Sequence, residues 1–197
     1  MSTNITQINC PSCGAPVEIS AKECEFCHGP VIISTFRSVY EMPLPSINKY
    51  ATAYKKELAS SPDNPELNNS IAMCYLKLKL YTKAVQGFEL AVADNIDNSE
   101  SYFYAAVALL NGKKAFLASR NTIDKIEEYI NAAIAIEPKG IYYLFFAYIR
   151  YDYYFRKHFK IEPNYAELLR KANTAGYSRE DSDLLFDILS VDKPQDF

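Results

Sequence analysis

Apolar residues recur at steps of three and four along residues 65–98, in two blocks: Leu67, Ile71, Met73, Cys74 and Leu76, then Ala84, Val85, Phe88, Ala91 and Val92. The pattern predicts two amphipathic helices with a turn near Leu80 to Thr82, a connection short enough to force an antiparallel hairpin. One hairpin cannot bury its apolar face alone, so the rest of the chain must supply neighbours. The pattern does return. Residues 99–110 predict a first helix carrying Tyr102, Ala105, Ala106 and Leu109, while Ile126, Ile130, Ala133 and Pro138 mark its partner helix, displaced by an insertion around residues 111–120. That insertion is expected to extend the second helix or to form a protruding turn. A third unit starts at Ile141 with the aromatic run IYYLFFAYIRYDYYFRKHFK, predicted helical at least to Tyr154; its partner helix covers residues 165–175 and ends on Gly176, after a second insertion near residues 158–163. Ser178 and Asp181 have capping-box spacing and open a last helix with Leu184, Leu185, Ile188 and Leu189 on one face. Upstream, Ser46 is expected to cap a helix through Ile47, Tyr50, Ala53, Tyr54 and Leu58, after an extended linker at residues 41–45 with two prolines.

Within residues 65–98, Ala72, Tyr75, Ala84, Phe88 and Ala91 stand at the spacings of the tetratricopeptide pattern, in a unit of 34 residues. The chain therefore resembles a tetratricopeptide-repeat protein, with Asn68 where that family has Trp and Ile96 where it has Pro. Gly87, inside the second helix, fits a close helix approach. The resemblance implies a mainly α fold: a tetratricopeptide-like α-solenoid of about three hairpins with a capping helix. It also implies a concave groove lined by the first helix of each unit. Its slots fall on Asn69, Met73 and Lys77, then Phe103, Val107 and Leu110, then Tyr142, Phe145 and Ile149. They are mostly apolar. Some relatives clamp the terminal carboxylate of chaperone tails with polar and basic side chains, but Met73, Tyr104 and Phe146 occupy those slots here, so an apolar helix or extended segment is the expected partner. The groove covered by the C-terminal helix or by a second copy of the chain is the alternative.

Ahead of the helices, residues 10–27 read CPSCGAPVEISAKECEFC, two Cys-x2-Cys pairs ten residues apart. Thiolates at this spacing sit on tight knuckles whose N–H groups face the sulfurs, and Cys10, Cys13, Cys24 and Cys27 can close a tetrahedron about one structural zinc ion. The segment resembles a small β zinc ribbon, with residues 16–20 and 31–36 expected as its strands; a module this small needs such a staple. Cys24 to His28 also spells the c-type haem attachment sequence, but that would leave Cys10 and Cys13 without a role. Disulfides would need an oxidising compartment, and catalytic zinc an open coordination position. His28 reads as a bystander. Residues 1–40 carry Lys22 and Arg37 against Glu18, Glu23 and Glu25, the wrong balance for a phosphate-binding face.

The 197 residues carry 49% hydrophobic side chains and a net charge of −3, enough for a proper core and no announcement of a polyanion partner. The first nine residues have neither a cation nor an apolar run, and no stretch reaches the length of a membrane span, so a soluble, cytoplasmic protein is expected. Catalytic motifs are missing: no phosphate loop, no nucleophile elbow and only two histidines. Cys74 reads as core, and Glu127 with Glu128 as a solvated face beside Lys125. The run from Tyr142 to Lys160 holds Arg150, Arg156, Lys157 and Lys160 against Asp152, a mixture of cations and rings that suits single-stranded nucleic acid, although a helix inside an array uses most such rings as core. The reading is a non-enzymatic adaptor: zinc ribbon at residues 1–40, linker and helix at 41–63, repeats at 64–176, capping helix and tail at 177–197. Its rivals are a nucleic-acid-associated factor using the ribbon and the aromatic, basic helix, and a structural subunit of a stable complex.

Overall fold

The computed structural model describes residues 7–93, 95–195 and 197. The first six residues of the expected ribbon, and with them most of the stretch read for a secretory signal, lie outside the described residues. The fold is mainly α with a small two-stranded sheet, and it divides into two compact units, Met1–Ile96 and Asp97–Phe197.

In the first unit β1 (Gln7–Asn9) pairs antiparallel with β2 (Pro16–Glu18), Ile8 facing Val17. Only one expected strand is therefore where the sequence placed it: residues 31–36 form none. The backbone of that stretch is engaged by side chains instead. Tyr54 donates its hydroxyl to the Val31 carbonyl at 2.9 Å, the Ile33 N–H donates to Ser70 Oγ at 3.0 Å, and Asn69 Nδ2 donates to the Ile33 carbonyl at 3.2 Å. A short helix α1 (Phe36–Tyr40) follows, and α2 (Leu44–Leu58) begins two residues before the expected Ser46 cap. Pro45 causes no break because the first turn of a helix has no intrahelical N–H bond to lose. Helices α3 (Pro65–Lys77) and α4 (Tyr81–Ala93) make the anticipated hairpin, its turn at Leu78 to Leu80. Asn64 caps α3 by accepting from the Leu67 N–H at 2.9 Å, with Pro65 in the first turn. A Cβ on Gly87 would come within 2.9 Å of Ala72 Cβ, so glycine sets the closeness of this pair. Asn68, in the family's Trp slot, instead donates to the carbonyls of Pro62 and Asn64 and fixes the entry to α3.

In the second unit α5 (Ser99–Leu109) pairs with α6 (Arg120–Ile136), and α7 (Gly140–Ile149) with α8 (Tyr165–Ala175); α9 (Arg179–Leu189) packs on α5 and α7. Asn98, Ser119, Asn164 and Ser178 cap α5, α6, α8 and α9, the last with the capping box closed by Asp181. The first insertion does not extend the second helix; it is a turn with one 3-10 segment, Ala115–Leu117, whose Ala115 is buried in the core and whose Phe116 N–H donates to Asp152 at 2.8 Å, so it packs on the unit instead of protruding. The aromatic run remains helical beyond Tyr154, but from Arg150–Tyr154 it widens into a π turn and then tightens at Phe155–Lys157. Most of its rings are core, with Phe155 and Phe159 left exposed: Phe103 lies 4.7 Å from Tyr142 and 5.8 Å from Phe145 between ring centres, and Ile123, Ile126 and Ile130 close the cluster from α6.

Candidate metal centre and docking faces

Two copies of one backbone motif build the cysteine cluster. The Cys10 N–H donates to the Ala15 carbonyl at 2.8 Å and the Gly14 N–H to the Cys10 carbonyl at 2.9 Å. Fourteen positions on, Cys24 donates to Gly29 at 2.9 Å and His28 to Cys24 at 2.8 Å. Both knuckles need a left-handed residue after the second cysteine, which Gly14 supplies at φ +82° and His28 at φ +56°. His28 thus serves the turn with its backbone. The N–H groups of Ala15 and Gly29 face the sulfurs of Cys13 and Cys27.

Cys10 Sγ lies 3.7 Å from Cys27 Sγ, and Cys13 Sγ 3.6 Å from Cys24 Sγ, with all four sulfurs within 4.8 Å of one another. These separations are far too long for a disulfide. A tetrahedron with metal–sulfur bonds of ~2.3 Å has edges of roughly 3.8 Å, so the cluster fits a four-thiolate metal site. Protons are held unevenly across it. The Gly29 N–H, aided by Cys13 and Cys10, draws Cys27 down to about 6; the Ala15 N–H pulls on Cys13, yet desolvation and the other three thiols push Cys13 up to about 12. Four adjacent sulfurs cannot all ionise unaided, and a divalent cation would displace those protons.

The cluster is fastened to helices of its own unit. Asn9, next to Cys10, donates through Nδ2 to Glu57 Oε1 of α2 at 3.0 Å. Gly29 lies against Tyr50, whose hydroxyl would stand 2.8 Å from any Cβ there; burial pushes that phenol up to about 12. Sequence patterning marks Tyr50 and Tyr54 as one apolar face of α2, but not that the ribbon is what covers them.

The expected groove positions are mostly not open. Asn69, Met73, Phe103, Val107, Leu110, Tyr142, Phe145 and Ile149 are all buried, and Lys77 is half-buried. On α3 the cover is the stretch through Ile33 and α1, with Lys77 Nζ 3.9 Å above the Tyr40 ring. On α5 and α7 the cover is α9, which leaves a cleft of about 230 Å³ walled by Phe103, Tyr104, Ile141, Tyr142, Leu184 and Ile188, with Glu100, Lys139 and Asp181 at its rim. Tyr104, Ile141, Leu184 and Ile188 are half-buried there and keep apolar surface available.

The solvated reading of Glu127 is corrected. It accepts from Arg150 Nη1 at 2.9 Å and from the Tyr154 hydroxyl at 2.6 Å, with Arg150 only 6% exposed. Asp152, also buried, accepts from Arg156, from the Phe116 N–H and from Tyr148. Two of the four cations of the aromatic run are thereby neutralised by ion pairs, and Lys157 rests over Tyr153 at 3.7 Å. Cys74 is fully buried, and desolvation pushes its thiol up to about 12.

The chain is similar to solved structures of MamA. The MamA MSR-1 structure covers 66% of this chain over 67% of its own, at 19% identity and a TM-score of 0.49. MamA AMB-1 covers 76% over 84%, at 18% identity and 0.48. No protein-family model matches the sequence, and neither does any curated protein. No helix among the described residues is long and apolar enough to cross a membrane.

Proposed function

We propose that this chain is a non-enzymatic adaptor of the tetratricopeptide-like kind. One Zn2+ on Cys10, Cys13, Cys24 and Cys27 staples its ribbon, and the second unit docks a partner segment in the cleft between α5, α7 and α9. The half-open apolar cleft carries this reading: it has room for about one large side chain, and its rim offers both signs of charge to polar flanks. Phe103 and Tyr142 form the floor beneath Tyr104, Ile141 and Ile188, so the expected groove residues support the contact from below. The zinc ion is architectural, because four sulfurs fill its coordination shell. The pairing of Arg150 and Arg156 leaves Lys157 and Lys160 as the cations on which a nucleic-acid role for the aromatic helix would depend, which weakens that rival reading.

The test compares wild type with Ile141→Glu and Ile188→Glu in affinity capture at moderate salt. Unchanged far-ultraviolet dichroism and zinc content establish that each variant is folded. A charge at either position should abolish capture of a partner seated in the cleft. Partners retained by both folded variants would remove the cleft from the mechanism, and partners lost on raising salt in wild type would return the argument to phosphate binding.

A further inference from the structure

The four cysteines are not equally sheltered. Cys24 is 0% and Cys10 2% exposed, and Cys27 is half-buried against Gly29, whereas Cys13 is exposed. Cys13 also lines a cleft of about 560 Å³ between the first knuckle and α2, whose far wall carries Asn48, Thr52 and Lys56. Cys13 is therefore the residue of the cluster most open to an oxidant the size of hydrogen peroxide. Across the cluster in the opposite knuckle, Cys24 Sγ lies 3.6 Å from Cys13 Sγ and is itself shielded.

We infer that Cys13 is a site of peroxide oxidation and that Cys24 resolves it, releasing the metal. This inference rests on the zinc reading given above. The Cys13 thiolate attacks one peroxide oxygen, the O–O bond breaks, and sulfenic acid and hydroxide form. The Cys24 thiolate then attacks the Cys13 sulfur and expels a second hydroxide, leaving a Cys13–Cys24 disulfide. Two thiolates have lost two electrons and one peroxide has gained them. Cys10 and Cys27 remain as two ligands, too few to retain zinc against water. Loss of the staple has a mechanical consequence within the unit. The knuckles hold the Asn9–Glu57 contact and, through Val31 and Ile33, the bonds to Tyr54 and Ser70, so oxidation lifts the cover from Asn69, Met73 and Lys77. Oxidation thus converts a closed α3 face into an open one.

The experiment uses the full chain, with zinc content measured first by elemental analysis. Hydrogen peroxide is added in substoichiometric steps, and released zinc, peptide-mapped disulfides and amide exchange in α3 are followed together. The expected result is one zinc released per peroxide consumed, Cys13–Cys24 as the first disulfide, Cys74 still reduced, and faster exchange in α3. A Thr52→Phe variant, which fills the cleft without touching a sulfur, should bind zinc normally and release it several-fold more slowly. A chain that binds no zinc sinks the metal reading and this inference together. Zinc-loaded protein whose first disulfide joins another pair, or whose release rate ignores Thr52→Phe, overturns the inference and leaves the metal reading standing.

Discussion

Gly140 begins α7 against the end of α8, where any Cβ would meet the carbonyls of Gly176 and Ala172. Backbone cannot yield as a side-chain tip can, so Gly140→Ala should lower stability by about 1–3 kcal/mol in a denaturant melt despite the better helix propensity of alanine. The Arg150–Glu127 pair poses the opposite problem, a buried guanidinium paired with a carboxylate largely withdrawn from water. Arg150→Ala leaves Glu127, still bonded by the Tyr154 hydroxyl, without this cation and should cost about 3–5 kcal/mol, whereas Arg150→Ala with Glu127→Leu should recover only part of that loss because it removes the acceptor of the Tyr154 hydroxyl. Neither partner declares itself in the sequence. Glu127 stands beside Glu128 and Lys125 and reads as a surface carboxylate; only the packing of α6 on the π turn buries it. Cys74, by contrast, was legible, because its place in an apolar stripe is a local property.

Helix caps were equally legible. Ser178 and Asp181 close the box their spacing promised, and Ser119→Ala, which deletes the bond to the Thr122 N–H at 3.2 Å, should cost about 1 kcal/mol by thermal melt. Hairpin pairing followed from periodicity and short turns for the same local reason. What periodicity cannot tell is which element an apolar stripe meets. The stripes of α3, α5 and α7 were correctly marked apolar, yet a sequence offers no distinction between a stripe that waits for a partner and one closed by α1 or α9. The stretch around Val31 and Ile33 failed differently. Its residues favour a strand, but Tyr54, Asn69 and Ser70, far along the chain, take its backbone bonds first.

The two units should respond differently to loss of metal. Chelation of a zinc-loaded chain is expected to lower the melting of residues 1–96, where the ribbon rests on α2 and α3, and to leave the transition of residues 97–197 in place. Scanning calorimetry with and without chelator reads both; a common shift of the two would contradict the assignment. Alkali should act on both units. Burial raises the phenols of Tyr50 and Tyr154 to about 12, and those of Tyr54, Tyr142 and Tyr148 also lie above their ordinary value. The unfolded chain releases these protons near 10, so their contribution is intact below pH ~10 and is lost as pH climbs toward the folded values. The part of the tyrosinate absorbance that belongs to these five phenols, uncluttered in a chain without tryptophan, should rise together with the loss of helical dichroism rather than before it.

The bond from Ile33 to Ser70 spans 37 positions, while the four cysteines and both knuckles lie within residues 10–29. During synthesis the knuckles can close around an ion while α3 is still inside the ribosome. The knuckles that anchor the covering stretch are therefore set before the helical face beneath it emerges, and the bonds from Ile33 to Asn69 and Ser70 remain to be made.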